Sequence, residues 1–344
     1  MIASSKSAVN VTPPCFDVES ARRIAEAHFG VGGTLAPLPS ERDQVFRLTS
    51  RDGVDFVLRI SSHAESFAVL EFQNEALMRV AAESPQLPVP RLMKALNGAM
   101  LASAAYQART HGVRLFSYLP GEPLAGQQAS PELYREIGRT MALLDMGLRG
   151  LARPPPNDAF LWNMHRALDL SPLARHVEPA AHRRMVDAVF ERLDAHALSA
   201  LAHLRSQVIH NDCNARNILV DAAAPDRVSG IIDFGDLTES ALIVELGVAI
   251  ARQAPLERAL PSACELIEGY NEYIRLRVEE IEVLFDVICA RLAMRALIWH
   301  GRGSDGDARL ASRLGDTFDL LALWLDHGPH RSTQSFHAAC AAMP

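Results

Sequence analysis

Val208-Ile209-His210-Asn211-Asp212-Cys213-Asn214-Ala215-Arg216-Asn217-Ile218-Leu219-Val220, followed after a polar turn by Val228-Ser229-Gly230-Ile231-Ile232-Asp233-Phe234-Gly235-Asp236, is the stretch on which the fold turns. Ile218 to Val220 and Val228 to Ile232 are short apolar runs joined by the segment 221–227, the pattern of an antiparallel hairpin. Asn217 precedes the first run and Asp233 follows the second. Antiparallel pairing therefore sets an amide oxygen beside a carboxylate, with Asp212 one loop away. Such oxygen donors suit a hard divalent cation next to a carboxylate able to serve as a base.

His210, Asp212 and Asn217 stand at spacings 0, +2 and +7, the HxDxxxxN order of kinase catalytic loops, and Asp233-Phe234-Gly235 reproduces the metal-binding DFG. Phosphoryl transfer explains the residue types. Its loose transition state calls for Mg2+ to neutralise phosphate charge, and for a carboxylate to orient the acceptor hydroxyl and take its proton. Asp212 is expected as that base, Asn217 and Asp233 as metal ligands, and His210 as a brace of the catalytic loop more than a proton carrier.

Upstream, Val18 to Phe29 reads as a helix that Asp17 caps and Gly30, Gly32 and Gly33 end. Val45 to Thr49 and Asp55 to Ile60 read as a hairpin, with Phe56, Leu58 and Ile60 on one face and Arg59 on the other. Ala68 to Ala82 reads as a helix that stops before Pro85, and Val113 to Tyr118 as a strand that stops at Leu119-Pro120-Gly121. Beyond that break helical patterns dominate, as in Glu132 to Met146 and Ala180 to His203. Pro154-Pro155-Pro156-Asn157 is expected as a loop.

Together these stretches resemble the aminoglycoside phosphotransferase-like kinases, a superfamily that includes choline kinases, and most closely its hydroxylysine kinase-like branch. Leu38-Pro39-Ser40-Glu41-Arg42-Asp43-Gln44-Val45-Phe46 looks like that branch's SERDQNF phosphate-covering turn. Val113 to Gly121 looks like its hinge and Arg291-Leu292-Ala293 like its late helical segment. The resemblance implies an α+β, bilobal protein-kinase-like fold: an antiparallel-sheet, nucleotide-binding N-lobe over residues 1–118 and a mostly helical C-lobe over 119–344 that carries the catalytic loop and substrate site. It implies Mg2+ with ATP or GTP as phosphoryl donor. Ser40, Arg42, Gln44, Arg59, Tyr118 and Leu119 are the implied nucleotide contacts. Glu75, with Glu71 as its rival, is the implied partner of Arg59. Asp236, Trp162 and Arg291 are the implied substrate contacts, and Glu239 and Glu245 are further acids suited to a cationic amine.

Three departures from the pattern matter. Arg59 replaces the usual strand lysine, exchanging a compact ammonium for a planar fork. Val45 replaces the asparagine of SERDQNF, and Asn211 the glycine common between His and Asp. The acceptor implied is the hydroxyl of a small amine-bearing metabolite, a hydroxy amino acid or amino alcohol. Aminoglycoside, choline- or homoserine-type acceptors remain open, as does a catalytically silent nucleotide-binding protein of the same fold.

Composition narrows the field. A chain of 344 residues with 49% hydrophobic side chains builds a large core. Its longest runs without a charged side chain, residues 27–40 and 95–108, are 14 residues each, too short to span a bilayer as helices. A net charge of -7 disfavours nucleic acid and anionic membrane as partners. Five cysteines without CxxC spacing disfavour a disulfide framework or thiolate zinc site, and no HExxH appears. The start of the chain lacks a secretory pattern, so a cytoplasmic location is expected. The absence of GxGxxG and APE segments weighs against a protein kinase.

Overall fold

Asp17 accepts a hydrogen bond from the Ser20 N–H at 2.7 Å and so caps α1 (Val18–Phe29). Gly30, at φ 69°, closes that helix alone, because Gly33 already belongs to the following strand. The structure, a computed structural model, describes residues 13–152, 154–155, 160–253, 255–301 and 308–341. The described residues divide into two units, one up to residue 120 and one from residue 121 on.

In the first unit β1 (Gly33–Leu38), β2 (Gln44–Ser50), β3 (Asp55–Ile60), α2 (Phe67–Glu83), β4 (Ala102–Tyr106) and β5 (Arg109–Ser117) follow in order. The strands form one antiparallel sheet ordered β1-β2-β3-β5-β4. The expected alternation holds: Leu58 and Ile60 are fully buried with Phe46, Leu48, Val113 and Leu115, and Phe56 packs against this core beside α1. On the opposite face Arg59 stands between Val45 and Arg114, its register partners.

The second unit begins with β6 (Glu122–Pro123) and α3 (Pro131–Leu148), which starts on the Ser130 cap with Pro131 in its first turn. After a run of 3-10 turns over Met164–His176 comes α4 (Ala180–Arg192). The single helix expected over 180–203 is interrupted there: a π-turn, Leu193–Ala197, precedes the short α5 (Leu198–Leu201), and its extra residue keeps Leu193, Ala197 and Leu201 all buried. Pro154 and Pro155 are irregular, as expected, while Pro156 and Asn157 lie outside the described residues. Then follow β7 (Ser206–Ile209), β8 (Ile218–Asp221), β9 (Ala224–Ile231), β10 (Thr238–Ala241), α6 (Ile243–Gln253), α7 (Ala259–Tyr273), α8 (Val278–Gly301) and α9 (Ala308–Ala341), the last kinked at Gly328 before Pro329.

β8 and β9 form the expected hairpin, Ile218 opposite Ile231, with β6 added at its edge; β7 pairs with β10. Helices α3 and α7 lie close because Gly138 and Gly269 face each other. A methyl group at Gly269 would collide with the Arg135 carbonyl oxygen, and one at Gly138 with that of Leu266. Among the described residues no helix is long and apolar enough to cross a membrane.

Candidate active site

The β8–β9 hairpin does what its spacing predicts. The Ile232 N–H donates to the Asn217 carbonyl at 2.9 Å, so the two strand ends stay together and Asp233 leaves the hairpin beside Asn217. The Asn217 amide then reaches back to the loop, Nδ2 donating to the Asp212 carbonyl at 2.9 Å and to its Oδ2 at 2.8 Å. Asp212 is thereby anchored through one oxygen. Its other oxygen, Oδ1, accepts no hydrogen bond among the described residues and faces two guanidinium groups, Arg252 at 3.9 Å and Arg291 at 4.0 Å.

His210 is fully buried and spans the two halves of the site. Nε2 donates to the Ile232 carbonyl at 3.2 Å, Nδ1 accepts the Asp212 N–H at 3.3 Å, and the ring meets Phe234 edge-on at 4.8 Å. With both nitrogens engaged it is a brace of the loop. Asp233 is exposed and takes a left-handed conformation, φ 65° and ψ 75°, before the 3-10 turn Phe234–Asp236.

Asn211 is the other left-handed residue of the loop, at φ 62°. Asparagine tolerates that region better than any other side-chain-bearing residue apart from aspartate, which explains its standing where glycine is common. Four groups hold it: its N–H donates to Glu245 Oε2 at 2.8 Å, its carbonyl accepts from Arg291 Nη2 at 3.0 Å, and its Nδ2 reaches the Trp162 and Asp236 carbonyls, each at 3.4 Å. Arg291 and Glu245 therefore differ from expectation. Arg291 is 1% exposed, donates from Nη1 to the Trp162 carbonyl at 3.1 Å and stacks on the Trp162 ring at 4.4 Å. It braces the loop from within instead of presenting itself to a substrate, and burial pulls its pKa down to about 10. Glu245 is likewise fully buried and receives a backbone amide, not an amine. Trp162 is 8% exposed and offers its carbonyl inward; Asp236 and Glu239 are half-buried on the turn and on β10. Near them, burial pushes the His165 imidazole down against the pull of the Glu239 carboxylate.

In the first unit Arg59 Nε donates to the Asp43 carboxylate, whose other oxygen accepts the Ser62 N–H at 2.9 Å. Neither Glu75 nor Glu71 partners Arg59: both are exposed, and the polar side chains that α2 buries are those of Gln73 and Asn74, the latter accepting from Arg114 at 3.3 Å. Gln44 is not free for phosphate. Its side chain clasps the Phe16 backbone, accepting from N–H at 2.8 Å and donating to the carbonyl at 2.7 Å. Ser40 is exposed and its hydroxyl accepts the Asp43 N–H at 3.3 Å, Arg42 is half-buried, and Tyr118 lies under the Arg47 guanidinium at 4.6 Å next to a half-buried Leu119.

Two residues escaped the sequence reading. Asp43 lies inside the quoted SERDQ turn. The β2–β3 register, Val45 opposite Arg59, puts it within reach, but the partner was sought on the helix. Arg252 follows Glu245 by seven residues, two helical turns, a spacing that sets both on one side of α6.

A family model described as the phosphotransferase enzyme family matches residues 34–277. Hydroxylysine kinase of Mus musculus is 30% identical over 305 residues, covering 81% of this chain and 81% of that protein; its Bos taurus counterpart is 28% identical over 313 residues, 84% and 83%. Among solved structures, amicoumacin kinase hAmiN in complex with AMP-PNP, Ca2+ and Ami aligns with a TM-score of 0.68 at 13% identity, covering 93% of this chain and 96% of that one. A microcompartment-associated aminopropanol kinase aligns with a TM-score of 0.68 at 18% identity, covering 93% and 100%.

Proposed function

This chain belongs to the phosphotransferase enzyme family, and from that membership we propose that it moves the γ-phosphoryl group of a Mg2+-bound ATP or GTP to the hydroxyl of a small amine-bearing metabolite of the hydroxylysine type. The chain is a small-molecule kinase. In this reading residues 1–118 form the nucleotide-binding lobe and 119–344 hold the catalytic loop and substrate site.

One observation carries the mechanism: Asp212 is tied down at Oδ2 by Asn217 and, among the described residues, left without a hydrogen bond at Oδ1. An acceptor hydroxyl that donates to Oδ1 is oriented by it and gives up its proton there, while Arg252 and Arg291 stabilise the charge on the carboxylate. Asn217 spends its N–H groups on Asp212, so its amide oxygen is the end presented to a cation, and Asp233 supplies a carboxylate alongside. That donor set fits Mg2+, which when bound neutralises charge on the transferring phosphoryl group. His210 and Asn211 hold the loop in this form. Asp236 and Glu239 supply the negative charge that an ammonium substrate requires.

A screen of Mg2+-dependent ATP and GTP consumption against 5-hydroxylysine, amino alcohols and aminoglycosides tests the reading. Turnover is expected with the first class and falls by about 100-fold or more in Asp212→Asn, while nucleotide binding and folding persist. Undiminished turnover in that variant overturns the role of Asp212, and a wild type that turns over none of these acceptors overturns the proposed substrate class.

A further inference from the structure

Behind the catalytic loop lies a pair of buried acids that the mechanism above does not use. Glu245 on α6 and Asp145 on α3 are both fully buried. Glu245 Oε2 accepts the Asn211 N–H at 2.8 Å, and Asp145 Oδ2 accepts the Tyr270 hydroxyl at 2.6 Å. The remaining oxygens, Glu245 Oε1 and Asp145 Oδ1, have no hydrogen-bond partner among the described residues. Each acid lies in the other's field, and burial together with the Glu245 charge pushes the Asp145 carboxyl well above the usual range. Two bare carboxylates in so dry a place cost more than a fold of this kind tolerates. A proton kept on Asp145 removes one of the two charges. Burial likewise keeps the Cys213 thiol protonated. His210, Cys213 and Glu245 offer ligand atoms within 4.8 Å of one another, yet His210 already uses both nitrogens, so the group is a hydrogen-bonded brace and not a cation site.

We propose that Glu245 is a positioning residue for phosphoryl transfer: through the Asn211 amide it fixes the left-handed residue ahead of Asp212, and so the direction of the Asp212 carboxylate. The inference rests on the phosphotransferase reading of Asp212. Arg291 grips the Asn211 carbonyl from the other side, so the peptide groups flanking Asn211 are held at both ends by buried side chains of opposite charge. Loss of the Glu245 acceptor frees one end of that grip, and the base then samples directions that do not meet the acceptor hydroxyl.

Glu245→Gln, Glu245→Met and Glu245→Asp, made in the full-length protein, test the proposal. Glutamine keeps an oxygen for the Asn211 N–H and removes the charge. Methionine keeps the volume and removes the acceptor. Relative to wild type, Glu245→Met is expected to lose about 30-fold in kcat with both KM values within about threefold, and Glu245→Gln to recover most of that loss. Hydrogen exchange over residues 208–214, followed by mass spectrometry without substrate, is expected to speed up at the Asn211 amide in the methionine variant and not in the glutamine variant. Should the methionine variant fail to fold, Glu245→Asp decides, because it keeps the charge but draws the acceptor back by one methylene; it is expected to lose about tenfold in kcat. Wild-type kcat in Glu245→Met or, where Glu245→Asp decides, in that variant overturns the proposal, as does a glutamine variant as impaired as methionine. A wild type that phosphorylates none of the acceptors defeats the substrate reading instead, and the exchange measurement still judges the grip on Asn211.

Discussion

Asn211 concentrates the cost of building this loop in one residue. A side chain at φ 62° is strained unless it compensates, and asparagine does so with two carbonyl contacts that glycine cannot make. Asn211→Gly is therefore expected to lose little stability. Asn211→Ala adds left-handed strain of about 1–2 kcal/mol to the lost hydrogen bonds and should have the lower denaturant midpoint of the two in urea titrations. Arg59 is the counter-ion of the buried Asp43 and so supports the turn, and the function proposed above gives it a second role, at the nucleotide phosphates; its variants separate the two. Arg59→Ala is expected to raise the nucleotide KM about tenfold and to lower turnover, whereas Arg59→Lys stays within about threefold because the charge survives. An alanine variant that loses thermal stability with unchanged kinetics reduces Arg59 to the partner of Asp43. Asp233→Ala should abolish the gain in nucleotide affinity that Mg2+ confers, read by titrating nucleotide with and without the metal.

At the level of elements, the contact between α3 and α7 depends on the absence of two side chains. Gly269→Ala drives a methyl group into the Arg135 backbone and is expected to cost about 3 kcal/mol. Gly315→Ala, on an exposed turn of α9 with nothing nearby, should instead stabilise by up to about 1 kcal/mol; thermal unfolding of both variants checks the contrast. Periodicity made α1, α2, α3 and the β2–β3 hairpin legible, because each buries one face more than the other, whereas the β8–β9 hairpin was legible as two short apolar runs around a polar turn, β8 being buried on both faces. β1 escaped notice: Gly-Thr-Leu-Ala-Pro-Leu is an edge strand, half-exposed, whose proline only an edge can accept. The catalytic loop was legible from spacing, since Asp212, Asn217 and Asp233 lie next to the hairpin that unites them. The supports of that loop were not. Glu245 and Arg291 reach it from helices distant in sequence, and a buried acid or guanidinium looks in sequence like one waiting for substrate.

For the molecule as a whole the buried acids set a pH dependence. The folded-state pKa of Asp145 is raised above its ordinary value of 3.8, so its contribution to stability is complete below that value and is lost as pH rises through the folded-state pKa. Asparagine copies the protonated acid and cannot ionise. The difference in Tm between wild type and Asp145→Asn should therefore shift against wild type between pH 5 and pH 9; a difference that stays constant over that range would mean that Asp145 carries no raised titration. Asp17, Glu19 and Asp55, whose pKa values hydrogen bonds lower, act in the opposite sense and lose their contribution in acid, but Asp17 and Glu19 are exposed and Asp55 is only half-buried, so solvent screens them. The stacked pair of Arg291 and Trp162 has an optical consequence. The chain has three tryptophans, and Trp162 carries a guanidinium on its ring while its carbonyl binds Asn211. Any rearrangement of the catalytic loop changes the electric field on that indole, so its emission reports on the loop without a label, and Trp162→Phe supplies the blank against which the signal of Trp299 and Trp324 is subtracted.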